Sequence, residues 1–375
     1  MQRAACPPAK SCIKVKLGFG GSRHAAIAAR LEAWVMHLGR KYRLAEYIVW
    51  MRRETYCLFG WALLATIILQ ILPSQFLSVP APLLAVVGTA VAIVLAFKNQ
   101  QCHARINEAL SLWGQISSAS TILANKLAAA LAGADAAQSA PRLKDIYYRH
   151  FAWLTALRFF LREPKAWENT FEPGNAKYLA ALPTPESQSA LKDEIVKYLS
   201  DTEAQAVLAY RGDKEGLLLR AQYRAAGELK QNALVDDNVF VALIAAIDDL
   251  VRLQGSVKRI KSYPYARNYY SIALILVAAF VAIVPFGLFP YAHDLGKSTG
   301  TEFWTAWLNI PFAVFVGWIF VTLEKVGENS SNPFEGGPND VPISFLSRRI
   351  EIEMRRMLGE QTDLKPIEPK YNILF

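Results

Sequence analysis

Four runs of this chain, residues 55–72, 80–97, 268–289 and 303–323, contain no Asp, Glu, Lys or Arg and are each roughly 18 to 22 residues long. A helix rises about 1.5 Å per residue, so each run can cross a hydrocarbon core of about 30 Å. A water-soluble fold would have to bury all four as core helices. The chain is 53% hydrophobic and its mean hydropathy is +0.17, on the membrane side of the range. The sequence therefore predicts an all-α membrane protein with four spans.

Orientation follows from the flanks. Arg40, Lys41, Arg43, Arg52 and Arg53 precede the first run, and Lys258, Arg259, Lys261 and Arg267 precede the third. The connection between runs one and two has no charge, and the one between runs three and four has Lys297 as its lone base. The positive-inside rule then places both termini and the long middle region in the cytosol. Trp304, Trp307 and Trp318, with Tyr269, Tyr270 and Tyr291, suit interfacial anchors, and core packing suits each of them equally.

The layout expected is a basic cytosolic segment 1–54, spans one and two at 55–98, a cytosolic helical region 99–265, spans three and four at 266–325 and a cytosolic tail 326–375. In the middle region apolar and charged residues mix at helical spacing. Residues 128–141, AAALAGADAAQSAP, read as a helix end and a loop, and Pro173, Gly174, Pro183 and Pro185 mark another break. The tail opens with turn residues and closes with the helix ISFLSRRIEIEMRRML. The first thirty residues are basic, with no acid before Glu32. A disordered leader, an organellar transit segment and an upstream start codon all fit them.

The net charge of +9 matches cytosolic flanks held against anionic lipid, and no nucleic-acid partner is expected. Four scattered cysteines form no Cys-x-x-Cys pair. Five histidines include one adjacent Cys–His pair, Cys102–His103, which cannot share a site on a helix. GFGGSRH fails the dinucleotide pattern because Arg23 stands at the third glycine position. Asp236–Asp237 and Asp248–Asp249 read as solvated helix faces or helix starts rather than a metal site. No nucleophile, base and orienter can be assembled, so neither an enzyme nor a cofactor is expected.

The second run carries the most informative pattern. Thr89, Ile93 and Phe97 lie at i, i+4 and i+8 and form one stripe, beside a stripe of small residues, Ala85, Gly88, Ala92 and Ala96. If several copies ring an axis, the small stripe could seat each copy against the next. Thr89, Ile93 and Phe97 would then face a hydrophobic constriction. From spacing alone, packing of all of them against the other spans stays open.

The segment FKNQQCHARINEALSLWGQI, residues 97–116, resembles the bestrophin family in running aromatic, basic, Asn, then Arg-x-x-Glu-Ala and Leu-Trp-Gly. Arg105, Glu108, Ala109, Leu112, Trp113 and Gly114 stand at matching positions, while Ile106 and Leu110 replace the usual Trp and Arg. KRIKSYPYARNYY, residues 258–270, and the span ending VPFGLFP are similar to further family segments. NPFEGGPNDVPISFLSRRIE, residues 332–351, resembles the prokaryotic form of the Asn-Pro-Phe segment.

The resemblance implies a homopentamer in the lipid bilayer with one central pore for small monovalent ions, chloride by default. Carried over, the neck falls on Thr89, Ile93 and Phe97, with Thr89 making its outer end wetter. Arg105, Glu108, Trp113, Asn332, Pro333, Phe334 and Asp340 are motif residues with a structural role. A second, cytosolic aperture is implied near the middle of the chain, with Val207 as the candidate. Animal members carry acids after Asn-Pro-Phe that help clasp calcium. Here Glu335 and Asp340 remain without the run, so no calcium activation and no metal are expected. A monovalent cation channel is the alternative within the class. A secondary transporter, with spans broken at Pro285 and Pro311, or a non-conducting assembly factor is the alternative outside it. A bacterial inner membrane is the expected location, with an organellar membrane as the alternative.

Overall fold

A computed structural model describes residues 50–72, 77–133, 136–171, 175–176, 179–180, 182–337, 339–361, 364–368 and 374. The basic leader and GFGGSRH lie outside them. Among the described residues there is no strand.

The four apolar runs are all helical, and their lengths differ for local reasons. Helix α1, Arg52–Ile71, has 20 residues and ends beside Leu72 in extended backbone. Helix α2, Ala81–Leu131, starts just after Pro80 and continues unbroken for 51 residues. At 1.5 Å per residue it is about 75 Å long, more than twice a bilayer core. Its composition shows why: between Phe97 and Leu131 there is no proline, and glycine occurs once, at Gly114.

The alanine-rich stretch 128–141 gives a shorter break than its composition predicts. Helix α2 reaches Leu131, and α3, Ala136–Arg162, has already begun before Pro141, which sits inside it. Proline at the sixth position of the helix cannot donate a backbone N–H to the preceding turn, and the helix continues through it. Short helical turns at Pro185–Gln188 and Leu191–Ile195 follow. Then come α4, Asp201–Ala209, α5, Lys214–Gln231, and α6, Asp237–Ser262. Each of these three starts on a side-chain cap: Ser200, Asp213 and Asp236 accept from Glu203 N–H, Gly216 N–H and Val239 N–H.

Helix α7, Arg267–Asp294, runs intact through Pro285 and Pro290. The fourth apolar run is interrupted instead near its start. A turn at Glu302–Thr305 and a 3₁₀ turn at Ala306–Leu308 precede α8, Asn309–Asn329. Pro311 thus lies in the first turn of α8, where its missing N–H is not needed. Helix α9, Ile343–Met357, closes the fold against α2 and α3 and buries Ile343, Ile350 and Met354.

Among the described residues two large apolar cores result, beside a small cluster of Leu69, Phe289 and Ala306. One lies among α1, α2, α7 and α8 and holds Ala62, Val91, Leu95, Val277, Phe280 and Ala313. The other joins the far half of α2 to α3, α5, α6 and α9 around Trp113, Tyr147, Phe151, Trp153 and Leu157. Two of the buried polar groups in the second core are paired across helices. Trp153 Nε1–H donates to Gln254 Oε1 at 2.6 Å, and Tyr147 Oη–H donates to Ala124 O at 2.7 Å. One helix, α2, contributes to both cores and couples them mechanically.

Candidate functional site

Helix α2 has an inward and an outward face. Val91, Leu95, Lys98, Cys102, Ala109, Leu112 and Ile116 are buried at spacings of three, four and once seven, and they hold the helix against the rest of the chain. Thr89, Ile93 and Phe97 stand on the outward face, with Ile93 51% and Phe97 64% exposed. The structure thus brings the three expected neck residues to one exposed surface of the chain. The Thr89 hydroxyl donates to Ala85 O at 2.8 Å and keeps lone pairs free for water. Beyond Phe97 the outward face turns polar: Gln100, Asn107, Ser111, Gln115 and Ser118 are exposed, and so is Glu108, whose charge is paired with Arg259.

The small-residue stripe is divided. Gly88 is buried against Phe280 of α7, so it seats α2 within its own chain. Ala85, Ala92 and Ala96 are exposed. Ala85, Thr89 and Ala92, with Phe280, Val284 and Val316, border an open apolar groove of about 480 Å³ between α2, α7 and α8. Exposed apolar side chains also cover the outer faces of α1, α7 and α8, among them Tyr56, Leu64, Ile275, Phe312 and Phe315. Such faces are what a helix bundle presents to lipid.

Val207 has no comparable surface. It is 2% exposed and packed in the second core, so in a single subunit it cannot line an aperture. The burial comes from α4, whose inward face Ala204 and Val207 form. The sequence offered no register to show this.

The motif residues hold the fold together. Arg105 donates to the carbonyls of Ile260 and Tyr263, the end of α6, and so fixes the corner before α7. Glu108 pairs with Arg259 at 2.6 Å, and Trp113 is fully buried. In the turn after α8, Pro333 O accepts from Val341 N–H at 3.0 Å and Phe334 fills the core. Asp340 Oδ2 accepts from Gly336 N–H and Gly337 N–H at 2.6 and 2.8 Å. Gly336 has φ +92°, a conformation that favours glycine. Glu335 Oε1 accepts from Asn169 N–H at 2.9 Å and from Asn332 Nδ2 at 2.5 Å.

Both acids of this turn are pushed upward. Burial, then the charge of Asp340, raises Glu335 to about 8. Burial raises Asp340 to about 6 against the pull of Arg162 and two backbone N–H groups. Glu335 Oε1 and Asp340 Oδ2 are engaged in holding the turn. Among the described residues, no group of three or more His, Cys, Asp or Glu side chains is placed to hold a metal ion. Asp236 caps α6, and Asp237 pairs with Lys230 at 2.9 Å. Asp248 accepts from Tyr223 Oη–H, and Asp249 pairs with Arg252 at 3.2 Å. These pairs thus belong to helix starts and surfaces.

Residues 45–356 match the family described as Bacterial/Fungal Bestrophin protein. The chain belongs to the bestrophin family. Its resemblance to the bestrophin motifs, read above from three segments, extends over the whole described bundle. The chain is 25% identical over 278 residues to the voltage-dependent anion channel-forming protein YneE of Escherichia coli (strain K12), covering 74% of this chain and 76% of that protein. It is 27% identical over 278 residues to the protein of the same name from Salmonella typhi, with the same coverage. Its fold is similar to a crystal structure of a bacterial bestrophin homolog from Klebsiella pneumoniae, with a TM-score of 0.68 and 18% identity, covering 83% of this chain and all of that one. This bestrophin is an integral membrane protein with four candidate membrane helices among the described residues.

Sequence reasoning overlooked a polar cluster beside Phe97. Lys98, directly after Phe97, is 2% exposed and meets Glu324 of α8 at 2.6 Å. A lysine placed one residue after an apolar run was the available signal. Its partner, 226 residues away, had none.

Proposed function

We propose that this bestrophin is the subunit of a homopentameric channel that passes small anions, chloride among them, passively through a bacterial inner membrane. The observation that carries the reading is the division of α2: one face is anchored inside the subunit, while Thr89, Ile93 and Phe97 project from the other. Its relatives named for voltage-dependent anion channels support the same reading.

Five copies of α2 around an axis give stacked rings of threonine, isoleucine and phenylalanine. The two apolar rings offer no hydrogen bond to a permeating ion, so a narrow neck empties of water and closes, and a small widening rewets it. The threonine ring lowers that barrier at one end. Past Phe97, amides and hydroxyls on the same face, beside Glu108 neutralised by Arg259, solvate an anion without trapping it as a fixed positive charge would. Selectivity in this scheme comes from the cost of dehydration in the neck and from these neutral donors.

The test is ion flux into liposomes of defined salt content. Under a chloride gradient the reversal potential should follow the chloride equilibrium potential, and the solubilised particle should have the mass of about five chains. A reversal potential that follows the cation gradient removes the anion assignment. A monomeric or dimeric particle removes the shared pore.

A further inference from the structure

Phe97 and Lys98 are neighbours on α2 and point in different directions, since successive residues turn by about 100°. Phe97 is 64% exposed, whereas the Lys98 ammonium is enclosed. Lys98 Nζ lies 2.6 Å from Glu324 Oε1, with the two side chains 1% and 5% exposed. The ammonium also lies 4.5 Å from the centre of the Tyr270 ring on α7. Tyr270 Oη–H donates to Glu328 Oε1 at 2.5 Å, one turn beyond Glu324 on α8.

The next residue repeats the attachment. Asn99 Nδ2 donates to Leu323 O at 3.0 Å. The backbone of α8 comes so close here that a Cβ on Gly327 would stand 2.0 Å from Asn99 Oδ1. Two consecutive residues after the neck thus tie α2 to α8 and α7, and α8 is tied in turn to α1 by Lys325 and Glu54.

Stability alone does not explain a buried charge pair on this stripe. Apolar residues of similar volume are often as stable, and the stripe above and below is apolar, with Leu95 and Cys102. Apolar contacts tolerate small rotations and slides. A charged hydrogen bond in an enclosed site tolerates few, because any misalignment leaves two charges unpaired.

We propose that Lys98 and Glu324 form a positioning pair that sets the rotation of α2 about its axis at Phe97, and with it the aim of the inner neck ring. The proposal rests on the conducting neck proposed above and assigns this pair its regulation. Lys98 does not face the conduction path. Its charge is held by Glu324, so it shapes the neck without attracting the anion.

The experiment records single channels of the full-length protein in planar bilayers. The variants are Lys98→Met, Glu324→Gln, Lys98→Arg and the exchange Lys98→Glu with Glu324→Lys. Residue 97 is followed in parallel as Phe97→Cys, by the rate at which a water-soluble thiol reagent modifies that peptide, read by mass. Lys98→Met and Glu324→Gln should replace a single conductance level by several sublevels and change the rate at residue 97 by about fivefold or more, as expected when a dry constriction loses its register. The particle mass should stay unchanged. Lys98→Arg and the charge exchange should restore the parental level. If Lys98→Met does not assemble, Glu324→Gln decides. A parental conductance level together with a parental modification rate in Glu324→Gln overturns the proposal. A parent protein that passes no anion overturns the channel reading alone, and the modification rate still decides the pair.

Discussion

A Cβ added to Gly88 would stand 3.0 Å from both Cε2 and Cζ of Phe280. Helices α2 and α7 meet there backbone to ring, and the ring has little freedom to move. Phe280 is 4% exposed and lies 4.5 Å from the Phe320 ring, centre to centre. Gly88→Ala gains about 1 kcal/mol of helix propensity but overpacks the contact by about 2 kcal/mol. The expected net loss is about 1 kcal/mol, seen as a lower unfolding temperature in detergent. An unchanged or higher unfolding temperature would show that the ring yields freely.

The proposed neck predicts opposite effects for opposite changes on one face. Ile93→Ala and Phe97→Ala remove bulk from the apolar rings and should raise anion conductance by about twofold or more. Thr89→Ile adds a third dry ring and should lower it. Val207→Ala should leave conductance alone and cost about 2 kcal/mol of stability as a core truncation. Unitary currents and thermal unfolding of the same preparations separate the two kinds of effect.

Lys261 and Glu168 form a second enclosed ion pair, with side chains 1% and 3% exposed. Lys261→Met strands the carboxylate and should cost about 3–5 kcal/mol. Adding Glu168→Leu removes the stranded charge, and the double variant should recover at least half of that loss, although Glu168 also accepts from Lys165 N–H. Additive losses in the two single variants, measured by thermal unfolding, would contradict a coupled pair.

The turn after α8 makes stability depend on pH in one direction. Glu335 and Asp340 are raised from 4.5 and 3.8 to about 8 and about 6. A carboxyl whose folded value is raised stabilises the fold fully below its ordinary value, and that contribution fades as pH climbs through the folded value. The charges facing this turn are Arg162 and Glu168, with Lys261 paired to Glu168. The unfolding temperature should therefore fall between pH 5 and 9. Glu335→Gln keeps the Oε1 acceptor for Asn169 and Asn332 and should flatten the upper part of that fall. A parental slope in Glu335→Gln between pH 7 and 9 would assign the dependence to other groups.

Several features were legible because they are local in the chain. The four spans show as uncharged runs, the start of α6 as Asp236–Asp237, and the stripe of α2 as a four-residue spacing. Motif residues such as Arg105 and Trp113 were legible as a pattern, and their roles as a corner brace and a core filler needed coordinates. The burial of Val207 was not legible, because a short amphipathic helix between loops has no register of its own. The break at 128–141 was overestimated because alanine composition alone does not end a helix.

By itself, the sequence determined that this chain enters a membrane four times and that one face of its second span repeats threonine, isoleucine and phenylalanine at helical spacing. Hydropathy and periodicity are properties of neighbouring residues, so no partner is needed to read them. Only the tertiary structure decided which face of α2 turns outward, that Gly88 belongs to the subunit interior, and that Lys98 is enclosed by Glu324. Those outcomes depend on which distant side chains meet: 226 residues separate Lys98 from Glu324 and 93 separate Glu168 from Lys261. A buried charge is tolerable only where its partner already stands.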